Sequence, residues 1–170
     1  MNPIPPVMLG GVELRPWSGL VVQEYSPIGG TTLARRSGGA AVKMQHWRKT
    51  AITLRGSGWM GPGLAGLDFS QPLELRCTKH LSLTTTALTG TLPSAPRPDY
   101  APWVMALVGR EWERHPVAMA GLAFTITPVP GATLYQVCWM PVFTVFCDVP
   151  GESLDPSAAS HDWSITAEEV

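Results

Sequence analysis

The chain has 170 residues and a formal net charge of −1, and these numbers already exclude several classes of protein. The length is enough for one domain with a substantial apolar core. Twelve basic and thirteen acidic residues leave no basic excess, so we expect no specific nucleic-acid binding. We also expect no secretory signal and no membrane insertion, because no apolar run reaches the length of a membrane span.

Charged residues are scarce, and several basic ones fall close together. They make up 15% of the chain, where about 25% is typical. A surface with so little charge is a candidate for burial against other subunits. The stretch from 35 to 55 contains no acidic residue, and its basic residues are Arg35, Arg36, Lys43, Arg48, Lys49 and Arg55.

Glycine and proline punctuate the chain and predict an all-β fold. There are 17 of each, spread along the sequence as many short strands joined by turns require. We predict an extended N-terminal arm over residues 1–11, followed by a single β domain over 12–170. The domain is expected to be a sandwich or barrel of about 8–11 short strands, with long Gly/Pro-rich loops and little helix.

The first half of the chain shows strand patterns separated by turn signals. Strand candidates lie at 12–15, 20–25, 31–36, 40–47 and 50–55, with turns or loops at 16–19, 26–30 and 37–39. Ile52 and Leu54 alternate with polar residues, which indicates a half-buried strand. Five glycines between 56 and 66 predict an irregular loop with Trp59 at its tip, and a short helical turn around 64–69 is an open alternative.

The second half continues with the same period of two. Strand candidates are 73–77, 81–86, 103–108, 122–126, 133–149 and a last one from Trp163, with loops at 92–102, 109–116 and 150–160. Pro141 breaks the segment 133–149, which is either two strands or one bent strand. The segment 109–116 concentrates charge around Trp112, so we expect it to be exposed.

The spacing of reactive residues argues against catalysis and against a cofactor. Cys77 and His80 are an odd number of positions apart, so on one strand they would face opposite sides. The glycines around Ser57 match neither the GxSxG of a nucleophile elbow nor the GK[ST] of a phosphate loop. Glu111 and Glu113 stand among arginines, as in a solvated cluster. We therefore expect no enzyme, no cofactor and no metal, although a metal site built from distant residues stays open.

The three cysteines, Cys77, Cys138 and Cys147, form no CxxC motif and are odd in number. This argues against a disulfide framework or a zinc cluster of the usual spacing. Buried, reduced thiols within strands are the expected outcome, because free cysteine is among the most buried residue types.

Tryptophan is unusually frequent, with seven residues, and several stand in loop contexts. Exposed aromatic rings suit protein interfaces and sugar-binding sites, because a rigid ring offers a large contact area at a low entropic cost. Capping of the core is the alternative role. The predicted interface consists of Trp17, Trp59, Met60, Leu64 and Trp112.

Two stretches carry short motifs of a more specific kind. The first runs from Arg36 to Gly58 with SGGA, QHWRK and TAITLRGSG, and continues with Trp59, Pro62, Gly63-Leu64 and Leu67-Asp68. The second is the ending WSITAEE at 163–169, which is similar to "W-S-L-x-A-E-E" endings. Together they resemble structural proteins from the tail modules of long-tailed bacteriophages, and they carry over no catalytic residue.

The resemblance implies a non-enzymatic virion protein that is made in the host cytoplasm and forms a homo-oligomeric ring around the tail axis. A distal-tail, baseplate or tail-tip component is expected, with other tail proteins as partners. A ring requires heterologous contacts that close. Tube proteins of such tails usually carry a long hairpin, and the sequence shows no unbroken pair of long strands. The alternative function is a carbohydrate- or receptor-binding β module that uses the exposed tryptophans.

Overall fold

The computed structural model describes residues 4–170, which form two compact units. Unit 1 contains the described residues before Leu14 together with Glu74–Phe143. Unit 2 contains Leu14–Leu73 and Thr144–Val170, so the main segment of unit 1 is inserted between its two segments. The boundary predicted at residue 11 does not coincide with this division.

Regular structure in residues 4–170 consists of seventeen strands and one 3₁₀ turn, Pro16–Ser18. The strands are β1 Met8–Leu9, β2 Val12–Glu13, β3 Val22–Ile28, β4 Thr31–Arg35, β5 Ala41–Gln45, β6 Lys49–Gly58, β7 Leu73–Arg76, β8 Leu81–Thr85, β9 Thr89–Thr91, β10 Trp103–Val108, β11 Glu111–Pro116, β12 Ala118–Ala120, β13 Ala123–Thr125, β14 Ala132–Trp139, β15 Val142–Cys147, β16 Gly151–Asp155 and β17 Ser160–Glu169. The all-β class and the scarcity of helix are confirmed. More strands form than expected, because polar segments that were predicted as loops, such as β11 and β16, also pair.

Unit 1 is built from a four-stranded and a three-stranded antiparallel sheet that share one core. The strand orders are β11-β10-β14-β8 and β12-β13-β9. The core residues are Leu92, Val104, Ala106, Phe124, Ile126, Tyr135, Val137 and Trp139. Val104 and Ala106 point inward from β10, as the alternation of a strand requires. Pro141 separates β14 from β15, so the segment 133–149 contains two strands.

The described part of the predicted arm packs in unit 1. Val7 and Leu9 are two positions apart and both are buried, while β1 pairs with β2 and β7. The side chain of Arg97 is completely buried and donates a hydrogen bond to the Pro6 carbonyl at 3.1 Å. It also forms two hydrogen bonds with the Asp99 carboxylate, at 2.7 and 2.8 Å. Residues 1–3 of the predicted arm lie outside the described residues.

Strand β17 is central in unit 2. It pairs with β6 along one side and with β16 and β15 along the other, and β3 pairs with the far side of β6. Ile165 lies opposite Leu54 and Ala167 opposite Ile52, and all four side chains are buried. The predicted inward face of Ile52 and Leu54 is therefore confirmed.

Strands β3 and β6 continue into β4 and β5 as one long antiparallel hairpin over residues 22–58. The pairing runs from Val22–Arg55 to Ile28–Lys49, and resumes from Thr31–Gln45 to Arg35–Ala41. Between these two paired regions, residues 29–30 on one arm face residues 46–48 on the other. The extra residue on one arm is the irregularity of a β-bulge.

The sequence missed this hairpin because Pro27 and the pair Gly29-Gly30 resemble a loop. Pro27 is tolerated because β3 lies at the edge of the β17-β6-β3 pairing, where a missing N–H removes no hydrogen bond from a central strand. Gly29 is required at the bulge, since a Cβ there would lie 2.3 Å from the carbonyl oxygen of Trp47.

Candidate functional site

The outer part of the hairpin, residues 29–49, is called the distal hairpin here, and nearly all of its side chains are exposed to solvent. Every side chain from Thr31 to Lys49 is exposed except that of Val42, which is half-buried. Leu33, Met44 and Trp47 are large apolar side chains with about half of their surface in solvent. An isolated two-stranded ribbon is at best marginally stable in water, so this element is suited to packing against a partner.

The distal hairpin is strongly basic, whereas the rest of the chain is acidic. Its charged residues are Arg35, Arg36, Lys43, Arg48 and Lys49. All thirteen acidic residues lie outside it, together with only seven of the twelve basic ones. The distal hairpin therefore carries a formal charge of +5, and the remainder of the chain carries −6.

At the opposite end of β6, the 3₁₀ turn packs directly on the strand backbone. A Cβ on Gly58 would lie 2.2 Å from the Trp17 carbonyl oxygen, and Gly19 has a φ of +96°. The buried indole of Trp163 donates a hydrogen bond from Nε1 to the Ser18 carbonyl at 2.7 Å. We call this contact the glycine junction. The loop predicted to begin at residue 56 is wrong for its first three residues, because β6 extends through Gly58. The glycines there allow the two backbones to approach closely.

The glycine junction brings together three of the five predicted interface residues. Trp17, Trp59 and Met60 are 44%, 66% and 43% exposed, and the Met60 amide donates to the Trp17 carbonyl at 3.2 Å. Leu64 is buried, with 1% of its surface exposed, so it belongs to the core instead of an interface. Its carbonyl accepts a hydrogen bond within a turn that replaces the helical alternative at 64–69. Trp112 is exposed on β11 of unit 1.

Beside the glycine junction, β3, β6, β17 and β16 present a concave surface with a cavity of about 840 Å³. We call it the outer face. Val22, Arg55, Ser164 and Gly151 lie in register across the four strands. Residues two positions away share the same side of a sheet. Leu20 and Val22 give this surface an exposed apolar part, at 86% and 59% exposure.

Carboxylates dominate the charge of the outer face. Glu24, Asp162 and Glu168 are exposed and lie on the same side of the strands as Val22 and Ser164. Arg55 lies among them, and its guanidinium pairs with Glu24 at 3.0 Å, while Lys49 lies on the same side where the distal hairpin begins. Exposed pairs of this kind contribute little to stability, so the main consequence is an acidic surface with an apolar part.

A second cavity in unit 2, of about 420 Å³, extends the outer face along β17. It is lined by Phe69, Phe146, Cys147, Asp148, Thr166 and Glu168. Phe146 lies opposite Glu168 in the β15–β17 pairing and is 47% exposed. An exposed aromatic ring therefore stands beside Glu168 and one further carboxylate, Asp148.

In unit 1 a smaller cluster surrounds Trp103, beside a cavity of about 490 Å³. The Arg114 guanidinium lies 4.5 Å from the centre of the Trp103 ring and donates to the Tyr100 hydroxyl at 3.1 Å. His80 packs edge-on against the same ring, with centroids 5.5 Å apart. These contacts use the polar groups within unit 1, which is typical of a structural cluster.

The cysteine thiols of the described residues lie in the interior. Cys77, Cys138 and Cys147 are all buried. Burial raises the pKa of the Cys138 and Cys147 thiols, which keeps both in the weakly nucleophilic protonated form at neutral pH. Within residues 4–170, no cluster of three or more His, Cys, Asp or Glu side chains is placed to bind a metal ion. None of the helical structure in that range is long and apolar enough to cross a membrane.

Sequence reasoning missed the outer face. Its strand β16 is exposed throughout and has a single large apolar residue, Leu154, so the segment showed no alternation and was predicted as a loop. Only the pairing of β16 with β17 reveals it. The signal for the separation of a basic hairpin from an acidic remainder was that residues 35–55 contain no acidic residue.

Comparison with protein-family models, with curated proteins and with solved structures gave no match in any of the three searches.

Proposed function

We propose that this chain is a non-enzymatic structural subunit of a bacteriophage tail, which assembles into a ring with copies of itself. The observation that carries the proposal is the distal hairpin, an element exposed on both sides in its own chain. Burial of Leu33, Met44 and Trp47 between subunits would supply the packing that the isolated ribbon lacks. The virion tail is the proposed location, after synthesis in the host cytoplasm.

The positions of the motifs support the tail assignment. The first stretch that resembles tail proteins includes the returning arm of the hairpin, β5 and β6, and the second forms most of β17. These two stretches pair with each other, from Ala51–Glu168 to Gly56–Trp163. Tube proteins of such tails usually carry a long hairpin. The hairpin over residues 22–58 therefore makes a tube subunit a further candidate, beside the distal-tail, baseplate and tail-tip components that the sequence favoured.

The assembly state tests the proposal. At tens of micromolar, light scattering after gel filtration should give a multimer, and electron micrographs should show rings. A variant in which residues 31–45 are replaced by Asn-Gly should be monomeric, because it lacks Leu33 and Met44 of the proposed contact. Asn-Gly is a turn that closes a hairpin directly, so the shortened hairpin can still form. Its circular dichroism should still show the β-rich spectrum of the remaining sheets. A wild-type protein that stays monomeric at these concentrations would contradict the proposal.

A carbohydrate- or receptor-binding function is the second candidate, and the exposure of neighbouring Trp17 and Trp59 favours it. The Arg15 guanidinium lies 5.7 Å from the Trp17 ring centre and covers part of that ring, which leaves Trp59 as the better stacking platform. A glycan array should then show a ligand whose binding is lost in Trp59→Ala and retained in Trp112→Ala. No binding on the array, or equal binding by Trp59→Ala, would reject this function.

A further inference from the structure

We propose that the distal hairpin of one copy docks on the outer face of unit 2 in the next copy, and that Lys43 meets the carboxylates of that face. This inference rests on the proposed ring function and specifies its contact. The interface would be heterologous, with two different surfaces of the same chain facing each other.

The first step is the placement of the two surfaces along the same strands, because the outer face reaches as far as Glu168, opposite Ala51, and the distal hairpin continues beyond that end. The Val22–Arg55 pair lines the outer face, whereas the Ile28–Lys49 pair is where the distal hairpin begins. At about 3.4 Å per residue, roughly 20 Å of β3 separate them, and the hairpin tip lies roughly 25 Å further on. The hairpin continues away from the outer face of its own chain, so it can reach that surface only in a second copy.

The second step is charge. The distal hairpin carries +5, and the outer face presents Glu24, Asp162 and Glu168 around Arg55, with Lys49 on the same side where the hairpin begins. Contact between two distal hairpins would place ten positive charges together, which costs free energy unless counter-ions bind. Opposite charges instead favour a contact between hairpin and outer face and raise its association rate. The charge pattern therefore favours a head-to-tail arrangement over a symmetric one.

The third step is the match of apolar and charged groups. On one side of the hairpin Leu33 lies opposite Lys43, so an apolar side chain stands beside a cation. The outer face has the complementary arrangement, with Leu20 and Val22 beside Asp162. Within residues 4–170 neither Lys43 nor Asp162 forms a salt bridge, so both are available to a partner.

A charge-swap experiment tests the contact. Lys43→Glu and Asp162→Lys should each raise the dissociation constant of assembly by about tenfold or more, as expected for close charge pairs at an interface. The combined variant, with both reversals in one chain, should recover most of the wild-type affinity. Arg110→Glu and Glu111→Lys, exposed charges of unit 1, are matched controls and should leave assembly unchanged.

The outcomes separate this inference from the proposed function. Rings that tolerate Lys43→Glu, or a combined variant no better than either single one, would overturn the docking contact and leave the ring function standing. A monomeric wild-type protein would overturn both. Carbodiimide cross-linking of mixed isotope-labelled chains gives an independent result, because Lys43 should join Asp162 or Glu168 of a different copy. Cross-links between hairpins alone would also refute the contact.

Discussion

Gly58 offers a direct test of how tightly the glycine junction is built. In Gly58→Ala the new Cβ would lie 2.2 Å from the Trp17 carbonyl oxygen, so the 3₁₀ turn must move by roughly 1 Å. This movement weakens the hydrogen bonds from Met60 N to Trp17 O and from Trp163 Nε1 to Ser18 O. The weaker Met60 hydrogen bond and the desolvation penalty of a buried indole N–H that loses its acceptor together cost about 3 kcal/mol.

Thermal unfolding followed by circular dichroism measures the effect. For a chain of this size, about 3 kcal/mol lowers the midpoint by roughly 6–12 °C. Gly66→Ala is the matched control, because no atom lies within 4 Å of its new Cβ and its φ is not in the left-handed region. It should be neutral, or stabilise by about 0.5 kcal/mol through the unfolded state. Equal midpoints for the two variants would show that the junction is not close-packed.

Three further predictions concern buried polar contacts. Arg97→Met should destabilise the chain by about 3 kcal/mol in urea unfolding, because it leaves the Pro6 carbonyl and the Asp99 carboxylate without their donor; a loss below about 1 kcal/mol would contradict the role of Arg97. The hydrogen bonds from Arg97 lower the pKa of Asp99 below its ordinary value of 3.8, so their stabilisation is present above that pH and disappears as pH falls through the lowered pKa. Urea midpoints measured from pH 6 to pH 2 should fall less steeply in Asp99→Asn than in the wild type, and parallel curves would refute the linkage. Trp163→Phe should cost about 2 kcal/mol through the lost hydrogen bond to the Ser18 carbonyl and the smaller ring, and hydrogen exchange of β17 amides should show the loss.

The sequence predicted those strands in which one face is buried. Ile52 and Leu54 in β6 alternate with Thr53 and Arg55, so the period of two was visible there, whereas β10 was predicted from its continuous apolar run. The sequence did not predict β16, because all of its residues are exposed and its formation depends on pairing with β17. A strand held by backbone hydrogen bonds alone leaves no pattern in the side chains.

The candidate site could be predicted only in part for a related reason. Trp17, Trp59 and Met60 were identified because aromatic and apolar residues in a glycine-rich segment suggest exposure. Leu64 was grouped with them by proximity in sequence, whereas the turn it opens directs its side chain into the core. The long hairpin was hidden by local breakers, whose cost is small at an edge strand and at a bulge.

The pairing of β6 with β17 also has a consequence for the order in which the chain folds. The Thr50 amide donates to the Glu169 carboxylate across 119 positions of sequence, whereas the strands of the distal hairpin are joined by a few residues. Local contacts form quickly and distant ones slowly, because loop closure has an entropic cost. During synthesis the hairpin can therefore form while its docking surface is still incomplete. With the contact proposed above, a nascent chain could bind to a finished subunit but could not itself receive the next one, which would confine growth of the assembly to completed chains.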